Sequence, residues 1–236
     1  MKGLLLINLG SPDSTSIPDV KKYLDEFLMD KRVIGKSYLF RWILVKLIIL
    51  NFRPKKSAKA YKKIWWKEGS PLIVLSQRLF KKISKILNVH VSLAMRYGSM
   101  SILKGLTELN NKGVHDIVVL PLYPHYAMSS YETVVEKVKE ETKKNFPKIN
   151  ISFIDPFYND PDYIKLLSKK IKDSIIYCTN YNPYNNYARA SIITARCTRI
   201  RTVSRIKWME ANTPNAGVLR GQFFTLGCWR SAGLAA

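Results

Sequence analysis

The sequence has few of the residues that build metal centres. Its 236 residues include three cysteines and three histidines. Cys178, Cys197 and Cys228 stand nineteen and thirty-one positions apart, which fits neither a zinc site nor an iron–sulfur ligand run. No second ligand stands near His125 at metal-binding spacing, so no resident metal and no cofactor is expected. Acidic side chains are also scarce, 17 against 39 Lys and Arg, giving a net charge of +22. That imbalance points to an anionic partner: nucleic acid, acidic lipid headgroups or a carboxylate-bearing small molecule. Long apolar runs are missing too. The most apolar stretch, Tyr38 to Leu50, is thirteen residues long and is interrupted by Arg41 and Lys46, too short and too charged to cross a bilayer. It reads as an apolar lip, a surface-lying helix or a plain core helix. The apolar residues after Lys2 stop at Gly10-Ser11-Pro12, so no secretory signal is expected and the expected location is cytoplasmic. The same loop lacks the second and third glycines of a dinucleotide fingerprint, and no phosphate-cradling lysine motif occurs.

Composition changes abruptly near residue 178. Residues 1–180 hold 26 Lys and 5 Arg, whereas residues 181–236 hold 1 Lys and 7 Arg. Glu210 is the one acid in that tail, against sixteen before it, and hydrophobic periodicity stops. The reading is an α/β domain over 1–176 followed by an atypical Arg-rich tail over 177–236. Translation in a shifted frame of a lysine-rich gene accounts for such a switch. The competing explanation is an Arg-rich disordered tail that binds nucleic acid or membrane.

Within the first part, strands and helices alternate. Gly3 to Asn8 predicts a strand. Ser16, Pro18 and Asp19 predict a capped helix to about Met29. Ser70-Pro71 predicts a helix start running to about Ile86. A strand over Val89 to Met95, a helix capped by Ser99 or Ser101 and ending at Gly113, a strand over Ile117 to Leu120, a helix from Ser129 or Ser130 to about Phe146, a strand over Ile149 to Ile154 and a helix from Pro161 to about Ile171 follow. Four strands separated by helices predict a doubly wound parallel sheet of Rossmann-like type.

The most informative stretch is Asp116-Ile-Val-Val-Leu-Pro-Leu-Tyr-Pro-His-Tyr-Ala-Met-Ser-Ser-Tyr-Glu-Thr133. Its buried strand must stop pairing at Pro121, which cannot donate to a ladder. Two prolines then fix a turn that leaves Tyr123, His125 and Tyr126 at the carboxyl end, where open α/β sheets bind ligands. Tyrosines beside proline also serve as simple packing, so the residues by themselves mark a site and not a reaction.

Four segments in register resemble the ferrochelatase family. They are Leu4-Leu-Leu-Ile-Asn-Leu-Gly-Ser-Pro-Asp13 with Val20-Lys-Lys-Tyr-Leu-Asp-Glu-Phe-Leu-Met-Asp30; Tyr61-Lys-Lys-Ile64 leading to Gly69-Ser-Pro-Leu72; Arg96-Tyr97; and Leu122-Tyr-Pro-His-Tyr126 with Ser129 and Ser130. The resemblance covers about the first half of a family member and leaves a second domain unrecognisable. It implies a chelatase-like fold and a lyase of haem synthesis that inserts ferrous iron, its substrate, into protoporphyrin IX. By position it implies porphyrin contacts at Arg53, Tyr61 and Ser70, and pocket-lining roles for Arg96, Tyr97 and Tyr123. Leu9 stands where the family's coproporphyrin-using branch carries tyrosine, which favours protoporphyrin IX. Residues 33–50 correspond to an apolar lip able to touch a membrane peripherally, and no nucleic-acid partner is expected. The family's catalytic histidine and glutamate belong to its second half and are not found here, so the resemblance assigns no catalytic residue. The alternatives are a basic, non-enzymatic nucleic-acid-binding protein and a chelatase for another tetrapyrrole or metal.

Overall fold

A computed structural model describes residues 1–179, with side chains through residue 174. Strands β1 (Lys2–Asn8), β2 (His90–Met95), β3 (Asp116–Pro121) and β4 (Asn150–Phe153) form an all-parallel sheet in the order β2-β1-β3-β4. The continuous apolar run of β1 suits a strand paired along both edges. Its Leu4 lies opposite Val91 on one side and Val118 on the other.

Helices α1 (Ile17–Leu28), α2 (Tyr38–Trp42), α3 (Leu50–Ile64) and α4 (Pro71–Ile86) fall between β1 and β2, α5 (Ile102–Asn111) between β2 and β3, and α6 (Thr133–Asn145) between β3 and β4. The path runs outward from β1 to β2 and then back across β1 to β3. Right-handed crossovers in opposite directions put helices on opposite faces. Leu5, Ile7, Ala94, Ile117 and Val119 accordingly bury one sheet face against Leu106 and Leu109 of α5 and Val134 and Val138 of α6. Asn8, the next residue along β1, points the other way and donates its amide to Ser76 of α4 at 3.0 Å. The sheet is doubly wound, as the sequence predicts. Its winding reverses between β1 and β3, and the crevice beyond the carboxyl ends of those strands is the ligand position of such folds.

Local sequence explains most boundaries. Ser16 accepts from the Asp19 amide at the start of α1, and Ser101 caps α5 by accepting from Lys104. Pro121 ends β3. Two caps differ from expectation. Ser70 precedes α4 but its side chain makes no capping bond. Neither Ser129 nor Ser130 caps α6, because Met128–Glu132 form a π-helical turn, so α6 starts at Thr133. Ala127 in extended backbone launches that wide turn, whose amides close on backbone carbonyls instead of a serine.

The apolar stretch after Ser37 is a helix with two different faces. Helix α2 continues through a π-helical segment, Ile43–Ile49, into α3. Pro54 within α3 lacks the N–H that would close on the Leu50 carbonyl, and the widened turns lie just before it. Val45, Leu50 and Ala58 are buried against Val20, Leu24 and Leu28 of α1. Leu39, Phe40, Leu47, Ile48 and Phe52 are exposed, Phe52 by 74%. One face is therefore core, as the core-helix reading expects, and the other is exposed and apolar. Among the described residues no helix is long and apolar enough to cross a membrane.

Residues 1–156 form one compact unit, and a second begins at Phe157. Its described part is α7 (Pro161–Thr179) and the residues just before it, where the Asp160 carboxylate accepts from the Tyr163 amide at 2.9 Å and Phe157 meets Tyr163 edge to face. This helix is longer than the sequence predicts and passes the expected boundary at 176. The rest of the expected tail, residues 180–236, lies outside the described residues.

Candidate active site

The carboxyl ends of β1 and β2 are tied by the chain that leaves them. The Arg96 amide donates to the Asn8 carbonyl at 2.8 Å and the Tyr97 amide to the Leu9 carbonyl at 3.0 Å, extending the parallel ladder past both strands. Leu9 is thus half-buried and acts through its backbone on Tyr97. Gly10 then turns with φ of +102°, and a Cβ there would lie 2.0 Å from the Tyr97 carbonyl oxygen. Only glycine fits that approach.

Beyond this turn lies a cavity of about 230 Å³, lined in part by Ser11, Trp65, Ser70, Met95 and Tyr97. Ser70 stands at the amino end of α4, whose dipole favours negative charge, while Asp13 and Glu68 also border the space. The Ser11 hydroxyl is buried with no hydrogen-bond partner among the described residues. Pockets that enclose a whole small-molecule ligand measure roughly 300–1,000 Å³. This cavity is the size of a cleft wall and not of a complete chamber.

Arg96 and Tyr97 point into a polar cluster beside it. Asp30, just past α1, accepts at one carboxylate oxygen from Arg96 Nη2, from Tyr97 Oη at 2.9 Å and from Thr133 Oγ1. Its other oxygen accepts from the Arg32 amide at 2.8 Å. Burial opposes ionisation of Asp30. The Thr133 and Arg32 hydrogen bonds, the Arg96 charge and the Tyr97 hydroxyl outweigh it and hold the carboxyl below its ordinary value. Arg96 is therefore an internally paired arginine, with its guanidinium over the Tyr97 ring at 4.3 Å.

Around the cluster stand four tyrosines whose phenols are all pushed upward. Burial raises Tyr97 and Tyr123, the Arg96 charge opposing it in both. Burial likewise raises Tyr23, helped by the nearby Tyr61, Tyr123 and Tyr97. Tyr61 reaches about 12, again through burial, with the Arg53 charge opposing. Tyr123 packs on the sheet core, and its hydroxyl is buried without a partner among the described residues. Tyr61 lies against the α1–α3 cluster with its ring edge-on to Trp65. Arg53 stands eight residues before it on α3, on the same side of the helix.

The structure thus brings Ser70 and Tyr97 to one cavity, and Arg96, Tyr97 and Tyr123 to one cluster. Arg53 and Tyr61 belong to the helix that carries the lip. His90 and His115 lie at the amino ends of β2 and β3, the opposite end of the sheet, and His125 is the histidine on the crevice side. Among the described residues no group of His, Cys, Asp and Glu could hold a metal ion.

Sequence reasoning missed Asp30, Thr133, Tyr23 and Ser11. A signal existed for Asp30. Helix α1 has no basic residue in its last turn, yet Asp25 and Glu26 lie there and Asp30 follows. Acids at the negative end of a helix dipole are unfavourable unless a distant donor repays them.

The named proteins similar to this chain belong to one family. A family model described as ferrochelatase matches residues 1–185. A ferrochelatase of Opitutus terrae is 50% identical over 169 residues, covering 70% of this chain and 49% of the relative. One from Pseudomonas syringae pv. tomato is 45% identical over 170 residues, covering 72% and 50%. One from Coxiella burnetii is 43% identical over 175 residues, covering 73% and 48%. The chain spans about half the length of the curated relatives it matches. With a doubly wound parallel sheet, a tyrosine-rich floor at its winding reversal and a family match over most of its residues, the chain belongs to the ferrochelatase family.

Proposed function

We propose that this chain is the porphyrin-holding part of a ferrochelatase-type lyase of haem synthesis, acting in the insertion of ferrous iron into protoporphyrin IX. The observation that carries the reading is the floor of Tyr97 and Tyr123 beside the Ser70 cavity, at the ligand position of the fold and in a chain of this family. Aromatic side chains packed beneath the crevice give a rigid, apolar support on which a macrocycle can lie. A guanidinium suits a propionate, and Arg53 is assigned to that pairing by its position in the family resemblance, while Arg96 is paired with Asp30. The half-buried side chain of Leu9 leaves the loop without a phenol, which favours protoporphyrin over coproporphyrin.

Metal insertion also needs an acceptor for the two pyrrole protons. Two of the three histidines stand at the far end of the sheet and His125 on the crevice side, and the role assigned to the described residues is binding and orientation. The exposed apolar face of α2, the π-helical segment and α3 is assigned to a peripheral membrane contact from which a hydrophobic porphyrin is taken up.

The test is fluorescence quenching on titrating protoporphyrin IX into the purified chain, alongside anaerobic insertion of ferrous iron or zinc followed by porphyrin absorbance. Saturable binding supports the reading, with or without turnover. Absence of any porphyrin affinity overturns it, and salt-sensitive binding to arbitrary DNA in its place would favour the basic binding protein.

A further inference from the structure

Asp30 stands where α1 ends and the lip segment begins, with its side chain 7% exposed. A carboxylate so placed is opposed by burial and by the helix dipole, and four donors from three parts of the chain hold it there. Arg96 and Tyr97 come from the end of β2, Thr133 from the first turn of α6, and the Arg32 amide from the root of the lip. The Arg96 guanidinium is gripped along a second edge, because its Nε donates to the Thr133 carbonyl at 3.1 Å and to Thr133 Oγ1 at 2.8 Å. Arg32 fastens the lip root to the same place through Glu132 at 3.3 Å and Glu136 at 3.1 Å.

We propose that Asp30 is a positioning residue, which clamps Arg96 and Tyr97 into a fixed floor and so sets the surface that a bound tetrapyrrole meets. The role rests on the porphyrin-holding reading. The Arg96 charge is answered inside the protein, and its guanidinium works as a wall stacked on the Tyr97 ring.

The test compares the full chain with Asp30→Asn and Asp30→Glu by two readouts. The first is phenylglyoxal labelling of arginines mapped by mass spectrometry, with Arg41 as internal control. Arg41 is buried in the lip and held by the Ile34 and Lys36 backbone carbonyls, with no bond to the Asp30 carboxylate. The second is zinc protoporphyrin titration, read by affinity and by the induced circular dichroism of the Soret band. In Asp30→Asn we expect labelling of Arg96 to rise while Arg41 stays protected, affinity to fall about tenfold, and the Soret signal to change shape, because a floor misplaced by about 1 Å forfeits contacts of that order. Asp30→Glu, which keeps the charge, should restore part of each. Thr133→Val removes one donor and leaves the ion pair, and carries the same test should Asp30→Asn not fold. Equal labelling of Arg96 in both proteins, or a joint rise of Arg96 and Arg41, overturns the proposal. If the unsubstituted chain binds no porphyrin, the parent reading fails, and selective exposure of Arg96 would then support the clamp by itself.

Discussion

Tyr123 separates stability from binding at the scale of one atom. Its phenol oxygen is buried without a partner among the described residues, and an unmet buried hydroxyl costs about 1–3 kcal/mol of desolvation. Tyr123→Phe is therefore expected to leave the urea midpoint unchanged or higher while porphyrin affinity falls several-fold. A residue that only packs would leave porphyrin affinity unchanged. Gly10 makes the opposite case. Gly10→Ala combines a left-handed backbone with an overlap against the Tyr97 carbonyl, and should cost roughly 1–3 kcal/mol in chemical denaturation while loosening the Tyr97 end of the floor. Glycine 10 was legible in the sequence as a turn. The clamp on Arg96 was not, because Asp30 and Arg96 are 66 positions apart and Asp30 and Thr133 are 103 apart.

Among the elements, the helix running from Tyr38 to Ile64 is the one whose two faces do different work. Val45 and Leu50 lock it to α1, while Phe40 and Phe52 face outward. The double substitution Phe40→Ser with Phe52→Ser should change folding stability by less than about 0.5 kcal/mol per site. It should weaken binding to phosphatidylglycerol vesicles by roughly tenfold or more, since each phenyl carries about 1.5–3 kcal/mol of transfer energy. Vesicle co-sedimentation measures the second effect, and unchanged partitioning would remove the membrane contact. The sequence showed this stretch as apolar but could not apportion its faces. The π-helical segment rotates the later residues relative to a regular 3.6-residue period, so counting along the chain misplaces them. The start of α6 escaped for the same reason: the π-helical turn at Met128–Glu132 replaces a serine cap.

At the scale of the whole unit, two buried and two partly buried tyrosines make its stability sensitive to alkali. Tyr23, Tyr61, Tyr97 and Tyr123 all have phenols raised above the ordinary value of 10.0. Below pH 10 the folded and unfolded chains carry the same neutral phenols, and the stabilisation from keeping them protonated is fully present. Above that, the unfolded chain loses protons that the folded chain retains, so stability is lost as pH rises toward the folded values, about 12 for Tyr61. Spectrophotometric titration should show these four ionising together with unfolding, after the exposed tyrosines. Tyr61→Phe should flatten the alkaline slope of the denaturation midpoint. A smooth titration of all tyrosines near pH 10 without unfolding would contradict the burial of the floor.

The sequence by itself determined the winding of the sheet, most helix starts and the family. These rest on short-range patterns: apolar runs of strand length, serine before a helix, proline where pairing stops, and motifs carried whole within a few residues. Only the tertiary structure decided what the motif residues do. It paired Arg96 internally, left the Tyr123 and Ser11 hydroxyls unmet and turned half of an apolar helix outward. Each of these outcomes depends on which distant side chain arrives at the crevice, and a donor 66 or 103 residues away leaves no mark on local spacing.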